Sequence, residues 1–209
     1  MKYRFVIWDV DGTLLDTREG LISAYRYALD ALKLPSKTDE EICSYVGPTP
    51  QTIFKTRFGL NDEAAQQAAN LFRDRYKTHD LLKARAYDGV YDVMDHLQKN
   101  NIKQAIATNK RQDYATEICQ HFGFDKYCFP IVGADNENKL TKADLIKKCL
   151  ETVNVTNLSE AVMIGDTQGD KTAAETVGID FIGVKYGFGF NNVAGYANTP
   201  LDILKLAGE

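Results

Sequence analysis

Hydrophobic positions along this chain change their period twice. A continuous apolar run, Phe5-Val6-Ile7-Trp8, opens the sequence and reads as a buried strand. Beyond Thr13 the apolar residues recur every three or four positions, with Leu21, Tyr25, Ala28, Leu29 and Leu32 on one face. Asp16 and Glu19 have the spacing of a capping box for this helix, which should stop near Pro35. A second helix is expected over 39–46, followed by a stiff turn at Gly47-Pro48-Thr49-Pro50 and a third helix over 51–58. Asn61 is placed to cap a fourth, whose Ala64, Ala68, Leu71, Phe72 and Tyr76 face one way. From Tyr87 onward strands alternate with helices. Stripes at Val90, Val93, Met94 and Leu97, and at Ala115, Ile118, Cys119 and Phe122, flank an expected strand over 102–108. Gly123 stops the second stripe, and a short strand over 130–133 follows. Thr141 should cap a helix burying Ile146, Cys149, Leu150 and Val153, before strands over 161–165 and 180–185.

One strand precedes the helical block and the others follow it, so the block is an insertion. The predicted fold class is α/β: a three-layer, Rossmann-like parallel-sheet core with an inserted all-helical cap domain. The core is expected over 1–15 and 82–209, and the cap over 16–81. A length of 209 residues accommodates both. A net charge of -4, with no basic run interleaved with aromatics, argues against a nucleic-acid partner. The first apolar run is broken by Asp9, too early for a signal segment or a membrane span, so a cytoplasmic chain is expected. Cys43, Cys119, Cys128 and Cys149 form no C-x-x-C pair and read as reduced thiols, mostly core filler. His79, His96 and His121 have no partner at metal-ligand spacing.

Polar residues collect where the predicted strands end, which is where open α/β sheets bind ligands. Asp9 and Asp11 follow the first strand, on one face if the chain stays extended, and Gly12 permits a sharp turn. Two adjacent carboxylates push one pKa up while the other stays ionised, which supplies a nucleophile and an acid from one residue type. Thr108 and Asn109 follow the second strand, Asp166 and Asp170 follow a later one, and Lys142 begins a helix between them. A hydroxyl, an amide, one cation and several carboxylates suit a phosphate and a magnesium ion. Mg2+ takes oxygen ligands in octahedral geometry, which Asp9, Asp166 and the main-chain carbonyl of Asp11 can supply. Without a divalent cation the four acids would repel a phosphate. Lys110 and Lys139 are alternatives to Lys142 for the cationic role.

These residues resemble the motifs of the haloacid dehalogenase superfamily, in particular its phosphoglycolate phosphatase-like members with a helical cap. The first motif appears as Asp9-Val10-Asp11-Gly12-Thr13-Leu14-Leu15-Asp16-Thr17, the second as Thr108-Asn109, the third as Lys142 and the fourth as Gly165-Asp166-Thr167 with Asp170. The resemblance implies that Asp9 attacks phosphorus to form an aspartyl-phosphate and that Asp11 shuttles the proton. It implies Thr108, Asn109 and Lys142 as holders of the phosphoryl oxygens, and Asp9, Asp11, Asp166 and Asp170 as the Mg2+ site, with Asp170 orienting either Lys142 or a metal-bound water. Dehalogenating relatives lack the second aspartate and phosphonate-cleaving ones carry a small residue there, so Asp11 favours ester hydrolysis.

Gly47 and Pro48 lie in a turn similar to the family's cap specificity loop, and Gly183–Gly189 resembles the end of nucleotidase-like and phosphoglycolate phosphatase-like members. The expected substrate is a small phosphorylated metabolite, phosphoglycolate first and a 5'-nucleotide second. The sugar phosphate mutases fit less well, because no histidine follows Asp16-Thr17 at their cap position. Phospho-aspartate receiver domains are the competing class, but they are shorter, uncapped and lack the second acid. A monomer or a homodimer is expected, without nucleic-acid or membrane partners.

Overall fold

The computed structural model describes residues 2–135, 139–190 and 193–208. In chain order the elements begin with β1 (Phe5–Trp8), β2 (Leu15–Asp16), α1 (Arg18–Ala31), α2 (Asp39–Cys43), α3 (Pro50–Phe58) and α4 (Asp62–Arg75). A π-helical turn (Tyr76–Asp80) continues α4, and β3 (Arg85–Ala86), α5 (Val90–Lys99), β4 (Lys103–Arg111) and α6 (Gln112–His121) come next. The chain then forms β5 (Cys128–Ala134), α7 (Lys142–Thr152), β6 (Ala161–Gly165), α8 (Gln168–Val177), β7 (Asp180–Gly183) and α9 (Asp202–Leu206). It divides into two compact units, one of 1–16 with 86–209 and one of 17–85.

The larger unit holds a five-stranded sheet in the order β5-β4-β1-β6-β7, with parallel pairing throughout, while β2 and β3 pair separately. An α/β fold with helices packed on a parallel sheet is therefore confirmed. β1 is the central strand and the order reverses there, so the carboxyl end of β1 is a topological switch point. All four of its residues are buried, which explains the unbroken apolar run. Phe5 and Ile7 pack with Ala105, Ala107 and Met163 against Leu145, Ile146, Cys149 and Leu150 of α7 and Ala173 and Ala174 of α8. Alternation sends Trp8 to the other face. There its indole N–H donates to Gln104 Oε1 at 3.1 Å, and Gln104 Nε2 donates to the Met94 carbonyl of α5 at 3.0 Å.

The regular elements of the smaller unit are helical apart from its last residue, in β3, and the unit has a core of its own. Tyr25 stands at its centre, with ring centroids 4.4 Å from Phe72, 5.3 Å from Tyr45 and 5.8 Å from Phe54. Asp80, fully buried, accepts from Ser23 Oγ at 3.0 Å and Arg75 Nε at 3.0 Å and pairs with Lys83 Nζ at 2.8 Å. Burial works against its charge, but these partners outweigh burial and hold its pKa below the usual carboxylate range.

Several local expectations need correction. Asp16 is buried in β2 rather than opening a helix, so α1 starts after Thr17 with no side-chain cap bond, and it ends at Ala31, short of Pro35. α2 stops at Cys43, and α3 begins at Pro50 because Thr49 caps it, accepting from the Thr52 amide. The Asn61 and Thr141 caps are present. β4 runs on to Arg111 through a register shift between Thr108 and Arg111, so Thr108 and Asn109 lie within an irregular strand end rather than after it. β7 ends at Gly183. No helix among the described residues is long and apolar enough to cross a membrane.

Trp8 is the chain's sole tryptophan and is fully buried. Gln104→Leu should strand its indole N–H in the core, at a cost of about 1–3 kcal/mol. Chemical denaturation followed by Trp8 fluorescence measures that loss, and an unchanged midpoint would refute the role given to Gln104.

Candidate active site

Each reactive group stands where a strand or helix of the larger unit ends. Asp9 follows β1, and its main-chain amide donates to the Ile164 carbonyl of β6 at 2.9 Å, which extends the ladder by one residue. The residue is 6% exposed. Gly12, at φ +81°, then turns the chain, and its amide donates to Leu15 at 2.8 Å. Asp166 and Thr167 link β6 to α8, where Thr167 and Asp170 form a capping box. Thr141 and Asp144 form another that sets Lys142 at the first position of α7.

These placements converge. Lys142 Nζ lies 2.6 Å from Asp9 Oδ1 and 2.7 Å from Asp170 Oδ1, and all three side chains are buried. Asp170 Oδ2 accepts from the Thr167 hydroxyl at 2.6 Å and the Thr167 amide at 3.1 Å. One oxygen of each of Asp9, Asp166 and Asp170 lies within 4.8 Å of the others, close enough to share a cation. Asp166 Oδ2 accepts from the Phe188 amide at 2.7 Å, while its buried Oδ1 has no hydrogen-bond partner among the described residues. An orphaned, buried carboxylate oxygen beside two further carboxylates fits a hard divalent cation, which takes oxygen ligands.

Asp11 lies apart from that group, with Oδ1 3.2 Å from Lys110 Nζ. The Thr108 hydroxyl accepts from the Lys110 amide at 3.2 Å, which leaves its own proton to donate. Asn109 is exposed and enters none of these contacts, and Lys139 is exposed as well. Lys142 therefore serves Asp9 and Asp170 while Lys110 serves Asp11. Gly47 and Pro48 are exposed in the turn between α2 and α3 of the smaller unit.

With every group ionised, four carboxylates and two ammonium groups leave an excess of two negative charges. That excess pushes carboxyl pKa values upward. Burial raises the Asp9 pKa, Lys142 opposes the shift, and Asp170 and Asp11 add to it. Burial also raises Asp166, to about 8, reinforced by Asp9 and opposed by the Phe188 amide. Lys142 is pulled the other way by burial, yet Asp170 and Asp9 hold its pKa above the ordinary lysine value.

The Phe188 amide and the glycine beside it are contacts that the motif pattern did not reveal, because a main-chain donor has no residue signature. Asp80 was missed for a related reason: its partners come from α1, α4 and the turn after it.

Comparison with known proteins adds ancestry to this geometry. The family model described as haloacid dehalogenase-like hydrolase matches residues 6–184. A 5'-nucleotidase of Pseudomonas aeruginosa is 30% identical over 190 residues, covering 90% of this chain and 86% of the relative. A phosphoglycolate phosphatase of Vibrio parahaemolyticus is 25% identical over 193 residues, covering 88% of this chain and 85% of the relative. The crystal structure of a predicted phosphatase from Clostridium acetobutylicum is similar with a TM-score of 0.87 and 30% identity, over 98% of this chain and 97% of that one. A match of this extent means that the chain belongs to the haloacid dehalogenase-like hydrolase family, as one of its phosphatases.

Proposed function

We propose that the chain is a magnesium-dependent phosphatase of small phosphate monoesters that works through an aspartyl-phosphate on Asp9. The observation that carries this reading is the pairing of Lys142 with Asp9 and Asp170 beside the orphaned oxygen of Asp166. Asp9, Asp166 and Asp170 would hold Mg2+ through carboxylates, and Asp11 through its main-chain carbonyl. When bound, the ion would neutralise charge on the phosphoryl oxygens and on the acids around them.

The chain's own groups account for the rest. The Asp9 carboxylate attacks phosphorus while the bond to the ester oxygen breaks, and Asp11 gives that oxygen its proton. Asp11 then takes a proton from the water that attacks the phosphorus of the aspartyl-phosphate, which releases phosphate and restores Asp9. The ammonium of Lys110, 3.2 Å from Asp11 Oδ1, balances charge beside it during these two transfers. Lys142 and the Thr108 hydroxyl bind phosphoryl oxygens, a task of placement and charge stabilisation. We assign Asn109 to the same phosphate-binding turn. The smaller helical unit is proposed as the cap, with the turn at Gly47 and Pro48 selecting the substrate.

Phosphoglycolate is the first substrate proposed, in keeping with the resemblance of the motifs to that branch. A 5'-nucleotide is the second, favoured by the Pseudomonas aeruginosa relative that is 30% identical. A phosphate-release screen across both classes decides between them. Exchange of the Gly47-Pro48 turn should then change the order of preference rather than all rates equally.

Asp9→Asn should abolish phosphate release from p-nitrophenyl phosphate with the circular dichroism spectrum retained. Wild-type turnover would refute the nucleophile. EDTA should stop the native enzyme, and added Mg2+ should restore it. The pH response has a defined sign. Asp166 titrates near 8 when folded, far above an unfolded carboxylate at about 3.9, so the folded metal-free protein binds more protons between those values. Its stability should fall as pH rises through that window. Mg2+ displaces those protons, so the rise in Tm on adding it should grow from about pH 5.5 to about pH 8.5. Differential scanning calorimetry measures this, and a constant Mg2+ increment would contradict the ligand assignment.

A further inference from the structure

Tyr186–Gly189 follows β7, and the phosphatase reading gives it no task. Its main chain nevertheless packs directly on Asp166. The Phe188 amide donates to Asp166 Oδ2 at 2.7 Å, and the two oxygens of this carboxylate are thereby made unequal, since Oδ1 is buried without a partner among the described residues. A side chain at Gly187 would begin 2.2 Å from the Gly12 carbonyl oxygen and 2.5 Å from Asp166 Oδ2. One at Gly12 would begin 2.1 Å from the same Oδ2. The carboxylate is thus enclosed between two stretches of bare main chain.

The segment is also tethered at its start. The Tyr186 hydroxyl donates to the Thr13 carbonyl at 3.1 Å, and its ring centroid lies 4.7 Å from that of Tyr87. The Val184 amide donates to Gly165 at 3.0 Å and the Lys185 amide to Ala197 at 2.8 Å. The strap is therefore anchored to the turn after β1 and to the end of β6, the two elements that carry Asp9 and Asp166.

We infer that Tyr186–Gly189 is a positioning strap for Asp166, which ties Oδ2 to a main-chain amide, leaves Oδ1 alone for the cation, and so favours Mg2+ over Ca2+. The chemistry follows from how the two ions use carboxylates. Mg2+ is small and takes single oxygens in octahedral geometry, whereas Ca2+ accepts both oxygens of one carboxylate in a larger, looser shell. An Asp166 that can offer only one oxygen suits the first and denies the second. This inference rests on the metal site of the proposed function.

The test is calorimetric titration of the full-length, metal-free protein with MgCl2 and separately with CaCl2, in the absence of substrate. Gly187→Ala forces the strap away from Asp166 and should weaken Mg2+ binding by about tenfold or more, as loss of a ligand's orienting partner commonly does. Ca2+ binding should weaken less, so the Mg2+/Ca2+ affinity ratio should fall. Tyr186→Phe removes only the hydroxyl tether and should move the ratio the same way by a smaller factor. A folded Gly187→Ala protein with both affinities unchanged, or reduced equally, overturns the inference. If that variant fails to fold, Tyr186→Phe decides, and an unchanged ratio overturns it. Wild-type protein that takes up no Mg2+ would overturn the metal reading itself, a result distinct from a wild type that binds and variants that match it.

Discussion

A single ammonium group, that of Lys142, holds the reactive end of this protein together. It is buried at the first turn of α7, where both desolvation and the helix macrodipole disfavour a positive charge. Asp9 and Asp170 reverse that balance at 2.6 and 2.7 Å. The dependence is mutual, because two buried carboxylates without a cation would have to take up protons or move apart. One side chain thereby joins the end of β1 to the first turns of α7 and α8, and the geometry around Asp9 becomes a property of the whole sheet.

The sheet supplies the stiffness that such an arrangement needs. β1 is buried along its length and hydrogen-bonded on both sides, to β4 and to β6, so Asp9 leaves a strand that has little freedom to tilt. Because the strand order reverses at β1, the crossover helices diverge there and the carboxyl ends are left open for a ligand. Core packing and site geometry are in this sense one construction: Phe5 and Ile7 anchor the strand that Asp9 directly follows.

Charge is what makes the acidic cluster suited to a divalent cation. Two lysines meet four aspartates, each lysine with its own clients, and the protein in isolation compensates with raised carboxyl pKa values. A divalent cation of the kind proposed would cancel the same excess and leave Asp9 ionised. The Phe188 amide engages Oδ2 of Asp166 and leaves Oδ1 without a hydrogen-bond partner among the described residues, so a loop with no reactive side chain at the centre reaches the acidic cluster through its backbone.

Much of this was legible in the chain itself. The apolar run of β1, the 3.6-residue stripes of α1 and α4, the Thr141 cap and the succession of strand ends bearing Asp9, Thr108 and Asp166 all follow from local periodicity and turn chemistry, which neighbouring residues determine among themselves. Other features depend on residues far apart in sequence. Local spacing at Asp16 and Glu19 suggested a capping box, but the pull of β2 pairing drew Asp16 into a strand. Nothing local distinguished Lys142 from Lys110, or showed that each would find its own aspartate. The burial of Asp80 among Ser23, Arg75 and Lys83, and the close approach of Gly187 to Gly12 and Asp166, were equally invisible. Residue types and their periodicity determined the elements and the stock of reactive groups. Only tertiary packing decided which charges meet, because electrostatic pairing and desolvation depend on distance in space, and the chain brings residues more than a hundred positions apart to within 3 Å of each other.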